Sequence, residues 1–210
     1  MSATTQLEEM KKNYHEAKYY LNFSSPLELM VAAILSARIR DTVVNETTPK
    51  LFKKYKTAKD YANADLNELI EEISVVTFPG NKAKWIKKSC EILVKKYNGE
   101  VPKTIKELVE LPGIGKKTAN AIQQNAFDIV NGIVVDTHVL RVSYRLGWTK
   151  NTDPERVEED LMKLFPKKYW KKIPHYMKDH GRALCIAPVP KCSKCFLNNS
   201  CPKKGVTKKL

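Results

Sequence analysis

The sequence has no long apolar run. Its longest uninterrupted apolar stretch, Leu29 to Leu35, is too short to span a membrane and suits a buried helix. The segment from Met1 to Tyr19 is polar and lacks the apolar core of a secretory signal. We therefore expect an intracellular protein that is neither secreted nor membrane-bound.

Regular alternation of apolar and polar residues is also missing, so no sheet is predicted. Val130 to Val135 is the one β-branched run, and we interpret it as a buried connector. Most of the remaining chain has helical periodicity, which predicts an all-α fold. Among the predicted helices are one over Leu7–Leu21, one capped by Asp41 and kinked or divided at Pro49, and one from Pro154 with Leu164 inward.

Acidic residues are scarce in one part of the chain. The formal net charge is +14, and residues 161–210 contain thirteen Lys or Arg against a single acid, Asp179. A basic segment beside a nearly neutral one indicates a polyanionic partner, of which nucleic acid is the commonest.

A turn between two predicted helices carries the first specific motif. Thr104 and Glu107 have the spacing of a capping box, which predicts a short helix to about residue 110. A proline then ends the helix, and Gly113 and Gly115 allow backbone conformations and close approaches that a side chain would block. Good helix formers follow, so we predict a helix–hairpin–helix over about 104–126. N–H groups at the start of its second helix would bind phosphate.

Two lysines, Lys116 and Lys117, occupy the first turn of that second helix, where positive charge opposes the helix dipole. Adjacent positions lie about 100° apart around a helix, so the two ammonium groups cannot do the same job. Taken alone, the pair is most simply a phosphate contact, and covalent amine chemistry is the other interpretation. A Walker-type loop is excluded, because Glu110 and Lys117 stand where that pattern needs Gly and Ser or Thr.

Four of the five cysteines are separated by only six, two and five residues, whereas Cys90 stands apart on a predicted helix as a core residue. Disulfides are unusual in an intracellular protein, which leaves a metal site. The single Cys-x-x-Cys pair and the closely spaced run favour a [4Fe–4S] cluster, with zinc as the alternative. The stiff loop between the first two cysteines would present Lys191 to a phosphate. The proposed ligands are Cys185, Cys192, Cys195 and Cys201.

Together these motifs resemble the endonuclease III family, the iron–sulfur branch of the helix–hairpin–helix DNA glycosylases. The resemblance extends from Leu21 to Cys201. It rests on Leu-Pro-Gly-Ile-Gly-Lys-Lys-Thr-Ala-Asn at 111–120, Val-Asp-Thr-His-Val-Leu-Arg at 135–141, His-Gly-Arg at 180–182 and the cysteine spacing.

The resemblance implies two helical lobes, with a damaged nucleotide flipped out of DNA bound across them. One is a six-helix barrel over 20–130, and the other joins 1–19 to the cluster-bearing 131–210. The implied partner is duplex DNA with a damaged base or an abasic site, bound by a monomer. Relatives also hold a monovalent cation at the hairpin.

By the same resemblance, Lys117 is the nucleophile and Asp136 the essential carboxylate of a bifunctional glycosylase/AP lyase for oxidised pyrimidines. Read alone, Asp136 is also a helix N-cap, and His138 is a structural hydrogen-bonding residue. Two positions depart from the family: Arg38 replaces a glutamine that fills the gap left by the flipped nucleotide, and Phe78-Pro79 replaces the usual wedge residues. The expected DNA-binding residues are Arg38, Asp41, Phe78, Gly113, Gly115, Lys116, His138 and Lys191.

A redox sensor on DNA, whose cluster would have to change potential on binding, is one alternative, and two others remain open. A mismatch glycosylase would remove thymine or uracil opposite guanine, but superfamily members of that kind often lack the lysine. A non-catalytic protein that binds branched or damaged DNA would use the hairpin and the basic segment alone.

Overall fold

The computed structural model describes every residue from Met1 to Leu210 and contains twelve α-helices, a 3₁₀ turn at Cys192–Lys194 and no strand. The all-α prediction is confirmed. None of the helices combines the length and apolarity that crossing a bilayer requires. The chain forms two compact units: a central unit, Tyr19–Ile129, and a terminal unit that combines Met1–Lys18 with Val130–Leu210.

The central unit is built around α2, whose start is fixed by local chemistry. The Ser25 hydroxyl accepts a hydrogen bond from Glu28 N, and Pro26 occupies the first helical position. Every α2 residue from Leu29 to Leu35 is buried, so the helix forms the middle of the core. The unit's helices are α2 (Pro26–Leu35), α3 (Asp41–Lys54), α4 (Ala58–Asn63), α5 (Leu66–Glu72), α6 (Pro79–Lys96), α7 (Ile105–Leu108) and α8 (Lys116–Ala126).

The terminal unit has its own core, to which the N-terminal helix contributes Leu7 and Met10. Its helices are α1 (Ala3–Asn13), α9 (Thr137–Leu146), α10 (Pro154–Leu164), α11 (Lys167–Trp170) and α12 (Ile173–Ala183). Helices α9 and α12 pack against each other, and α1 packs on α12. Residues distant in sequence therefore share one core.

Four local predictions were wrong. Helix α1 begins earlier than predicted, because Ser2 caps it, and it ends at Asn13 rather than extending to Leu21. Pro49 does not divide α3, which runs through it to Lys54, and only the predicted kink stays a prediction. Asp41 is the first residue of α3 rather than its cap. Leu164 is 38% exposed, and the next residue, Phe165, packs into the core instead.

Candidate functional site

The hairpin between α7 and α8 is braced by α6. Gly113 has φ +83°, and a Cβ there would lie 3.1 Å from Trp85 Cε3. One turn further along α6, the Ser89 hydroxyl donates to Pro112 O at 3.0 Å. Thr104 caps α7, because its hydroxyl oxygen accepts a hydrogen bond from Glu107 N. The Glu107 carboxylate accepts from the Thr104 hydroxyl and not from the Thr104 backbone N–H, so the capping box is only half formed.

The start of α8 is open to solvent. Gly115 occupies the N-cap position without a side-chain cap, and no atom lies within 4 Å of where its Cβ would be. Lys116 and Lys117 are the first two residues of α8, and both are exposed. Backbone N–H groups, a positive helix end and two ammonium groups therefore coincide at an accessible surface, as an anion site requires.

Asp136 caps α9 in the terminal unit. Its Oδ1 accepts hydrogen bonds from the N–H groups of His138 and Val139, both at 2.8 Å. These two bonds orient the carboxylate and leave Oδ2 without a hydrogen-bond partner. The N-cap interpretation is therefore correct, and it is compatible with a chemical role for the second oxygen.

His138 lies in a network that joins α9 to α12. Its Nδ1 is 3.1 Å from Arg141 Nη2, which also donates to Gly181 O at 3.0 Å. A guanidinium only donates, so Nδ1 is the acceptor and the ring proton is on Nε2. Burial lowers the pKa of His138, which favours the neutral ring. The structural interpretation of His138 fits this network.

The four clustered cysteines line one cavity of the terminal unit. Backbone N–H groups point at two of the sulfurs: Leu197 N lies 3.4 Å from Cys195 Sγ, and Lys203 N lies 3.4 Å from Cys201 Sγ. Burial raises the pKa of the Cys195 and Cys201 thiols. No group of three or more His, Cys, Asp or Glu side chains is arranged to hold a single metal ion. Lys191 lies on the wall of the same cavity.

Two arginines of α9 hold the loop that begins at Cys185. Arg145 Nη1 donates to Ile186 O at 2.8 Å and lies 3.4 Å from Cys185 Sγ. Arg141 Nε donates to Cys185 O at 3.0 Å. Both arginines come from α9, so the helix capped by Asp136 also fixes the loop of the first cysteine.

The remaining predicted DNA contacts are in the central unit. Arg38 is exposed in the turn after α2 and has φ +58°, and Phe78 is 59% exposed before α6 with φ +56°. Asp41 is only 8% exposed, so its predicted contact with DNA is not supported by an accessible side chain. Its position instead suits the positive end of α3.

Sequence reasoning missed several residues that shape these sites. Trp85 and Arg145 had no motif to mark them, and Arg141 ends the 135–141 motif but was given no role. Lys82 is a stronger case: it is 1% exposed, yet no role was predicted for it. Its spacing gave a signal, because it lies four residues before buried Ile86 on the inward stripe of α6.

Comparison with known proteins places this geometry in a family. Residues 31–167 match the model of the HhH-GPD superfamily of base excision DNA repair proteins. The chain is 46% identical over 200 residues to Endonuclease III of Synechocystis sp.. This alignment covers 95% of this chain and 91% of the relative. It is 41% identical over 210 residues to Endonuclease III of Bacillus subtilis, covering 97% and 95% of the two chains.

A solved structure agrees with the sequence relatives. A trapped Endonuclease III–DNA covalent intermediate, in an estranged-adenine complex, matches with a TM-score of 0.89 and 41% identity over 97% of each chain. The fold and hairpin therefore define a helix–hairpin–helix protein of base excision DNA repair. Within this superfamily, the chain belongs to the endonuclease III family. The resemblance inferred from the motifs is confirmed.

Proposed function

We propose that the chain is a bifunctional DNA glycosylase/AP lyase that removes oxidised pyrimidines from duplex DNA, with Lys117 as the nucleophile. The family and the covalent DNA intermediate of the structural relative support this reaction class. The observation that carries the assignment is the exposed amine of Lys117 at the open start of α8. A covalent bond to deoxyribose requires such an accessible amine beside a phosphate-binding backbone.

Recognition of duplex DNA combines charge with shape. The N-terminal end of α8 and Lys116 would hold a backbone phosphate, and the net charge of +14 favours a polyanion. Exposed Phe78 can stack between bases, and Arg38 can fill the space of an extruded nucleotide. The expected complex is one protein molecule bound to nucleoid DNA at a damaged base or an abasic site. A monovalent cation at the hairpin stays a prediction.

The reaction proceeds in two covalent steps. The neutral amine of Lys117 attacks C1′ of the extruded nucleotide, and the N-glycosidic bond breaks as the damaged base leaves. The amino sugar then loses one amine proton, and its C1′–O4′ bond breaks with O4′ taking up a proton. The protonated Schiff base left at C1′ makes the C2′ proton acidic. Loss of that proton, followed by cleavage of the 3′ C–O bond, nicks the strand by β-elimination.

Asp136 is proposed as the essential carboxylate. With Oδ1 held by two backbone N–H groups, Oδ2 keeps an available lone pair and a defined direction. The carboxylate would accept the proton that Lys117 must lose and would stabilise positive charge developing on the sugar.

The four cavity-lining cysteines are proposed to hold a [4Fe–4S] cluster. The donor set fits, because all four cysteines line one cavity and backbone N–H groups already point at the sulfurs of Cys195 and Cys201. Arg145 adds a cationic donor beside Cys185 Sγ. When bound, the cluster would tie the ends of the Cys185–Cys201 segment and present Lys191 to a phosphate.

Borohydride trapping tests the nucleophile. Incubation with an abasic duplex and borohydride should yield a covalent adduct with the parent protein and none with Lys117→Ala. Lys116→Ala is the matched control, because it removes the adjacent amine from the same exposed turn, and it should still form the adduct. An adduct that persists in Lys117→Ala would refute the assignment.

Asp136→Asn separates the chemical role of Asp136 from its capping role. Asparagine is as good an N-cap as aspartate, so the unfolding free energy should change little. The excision rate should fall by roughly a hundredfold or more if the carboxylate takes part in the proton transfer. Unchanged excision would leave Asp136 as a cap only.

The lesion class needs a panel of duplexes, each with one defined lesion opposite each of the four normal bases. Oxidised pyrimidines should be excised fastest, and preferential removal of thymine or uracil opposite guanine would favour the mismatch enzyme instead. Iron and sulfide analysis of the purified protein tests the cofactor, and stoichiometric zinc without iron would overturn the cluster assignment.

A further inference from the structure

The central unit buries one lysine completely. Lys82 on α6 is 1% exposed, and its ammonium group donates to Leu35 O at 2.7 Å, Ala37 O at 2.8 Å and Thr77 Oγ1 at 3.1 Å. Three donors therefore meet three acceptors, which satisfies the hydrogen-bonding capacity of the group. No carboxylate is among its partners, so the charge is held by oxygen dipoles alone.

These acceptors belong to two separate segments. Leu35 and Ala37 lie at the end of α2 and in the turn that carries Arg38. Thr77 immediately precedes Phe78, at the start of α6. One buried ammonium group thus connects the two segments that present the exposed Arg38 and Phe78 side chains.

Thr77 adds a direct link between the same segments. Its hydroxyl lies 3.2 Å from Ala37 O and 3.3 Å from Arg38 O, and it accepts from Lys82. Arg38 and Phe78 both have left-handed backbone conformations, with φ +58° and +56°. Such conformations are unfavourable for residues with a side chain, so they persist only where neighbouring contacts enforce them.

We infer that Lys82 is a positioning residue for base extrusion, holding the Arg38 and Phe78 segments as one preformed unit before DNA arrives. This inference rests on the proposed function. Two side chains that must enter a duplex at the same nucleotide act together only if the distance between them is fixed before binding. Without the ammonium group, each segment would have to be ordered on the DNA at an entropic cost.

Helix α6 provides a matched control for this role. Lys87 Nζ donates to Ala62 O at 2.6 Å and Ala64 O at 2.8 Å, at the end of α4. Lys87 therefore makes the same kind of bond from ammonium to helix C-terminus as Lys82, but neither acceptor belongs to the Arg38 or Phe78 segment. A general loss of lysine capping would affect both residues, whereas a positioning role belongs to Lys82 alone.

The experiment compares Lys82→Met, Thr77→Val and Lys87→Met with the parent protein. Each is assayed on a duplex that carries 5-hydroxycytosine opposite guanine with 2-aminopurine beside the lesion. The 2-aminopurine fluorescence reports extrusion, single-turnover cleavage reports excision, and a preformed abasic duplex reports β-elimination. Thr77→Val breaks the exposed end of the network and keeps the test valid if Lys82→Met fails to fold.

Lys82→Met and Thr77→Val should slow extrusion and excision by roughly tenfold or more, and slow β-elimination on the abasic duplex much less. That duplex has no base pair to open at the site. Lys87→Met should match the parent in all three measurements. Hydrogen exchange of residues 36–39 and 74–78 should accelerate in the first two variants only.

Two results would overturn the inference. One is extrusion within about twofold of the parent in the folded Lys82→Met and Thr77→Val variants, and the other is an equal defect in Lys87→Met. A parent protein that forms no borohydride adduct would instead remove the proposed function, and this inference with it. The adduct assay therefore distinguishes the two failures.

Discussion

Gly113 packs its Cα against the indole of Trp85 so closely that an added Cβ would lie 3.1 Å from Cε3 and 3.3 Å from the Trp85 Cβ. Its φ of +83° is also strained for any residue with a side chain. Both facts concern the same corner of the hairpin. The glycine is required there for close packing and for backbone conformation at once.

Gly113→Ala should therefore lower the unfolding free energy by about 1–3 kcal/mol, measured by urea denaturation. Gly115→Ala is the matched control, because its φ is −89° and no atom lies within 4 Å of the new Cβ. That variant should unfold within about 0.5 kcal/mol of the parent. Equal destabilisation of the two variants would show that the Trp85 contact is not the cause.

Tyr61→Phe should be neutral or should stabilise the protein by up to about 1 kcal/mol. The Tyr61 hydroxyl is buried and has no hydrogen-bond partner, so its removal relieves a desolvation cost while the ring stacking on Tyr55 is retained. Tyr55→Phe is the comparison, since the Tyr55 hydroxyl donates to Glu68 at 3.3 Å. Thermal unfolding of both variants measures the difference, and a marked loss in Tyr61→Phe would indicate an unseen partner.

Buried histidine makes stability depend on pH. Burial, with nearby lysines, lowers the pKa of His175 from the ordinary 6.5 to about 4, so the unfolded chain binds a proton that the folded protein excludes. This contribution is complete above pH 6.5 and is lost as the pH falls from 6.5 to 4, at about 1.4 kcal/mol per pH unit.

His175→Gln should reduce the slope of unfolding free energy against pH in that window. The buried His180, with its pKa lowered to about 4, would account for part of what remains. Exposed His15 supplies the control, and His15→Gln should leave the slope unchanged. A parent slope retained in His175→Gln would mean that His175 is not the titrating group.

Gln6 ties the N-terminal helix to the cysteine-bearing end of the chain. Its side chain accepts from Trp148 Nε1 at 2.6 Å and donates to Ser200 O at 2.9 Å, and the residue is 3% exposed. Gln6→Leu leaves the buried Trp148 N–H and the half-buried Ser200 carbonyl unpaired, which should cost about 1–3 kcal/mol in denaturant unfolding. Lys12→Ala on the exposed face of α1 should cost little, and similar losses in the two variants would point to helix propensity instead.

Short-range chemistry was readable from the sequence. The cap at Asp136, the start of α8 after Gly115, and the family motifs depend on a few adjacent residues. Their hydrogen bonds close over two to four positions, so the local sequence contains both partners. The all-α fold and the family followed from such patterns.

Tertiary structure decided what the inward-facing side chains meet. Periodicity could place Lys82 on the buried stripe of α6. It could not show that two of its acceptors, Leu35 O and Ala37 O, come from a segment 47 and 45 residues away. Gln6 and Ser200 are 194 positions apart, and the cavity between the cysteines exists only once α12 and the following loops have packed. A pattern along one helix records which face is buried, whereas the partner on that face is set by the folding of the rest of the chain.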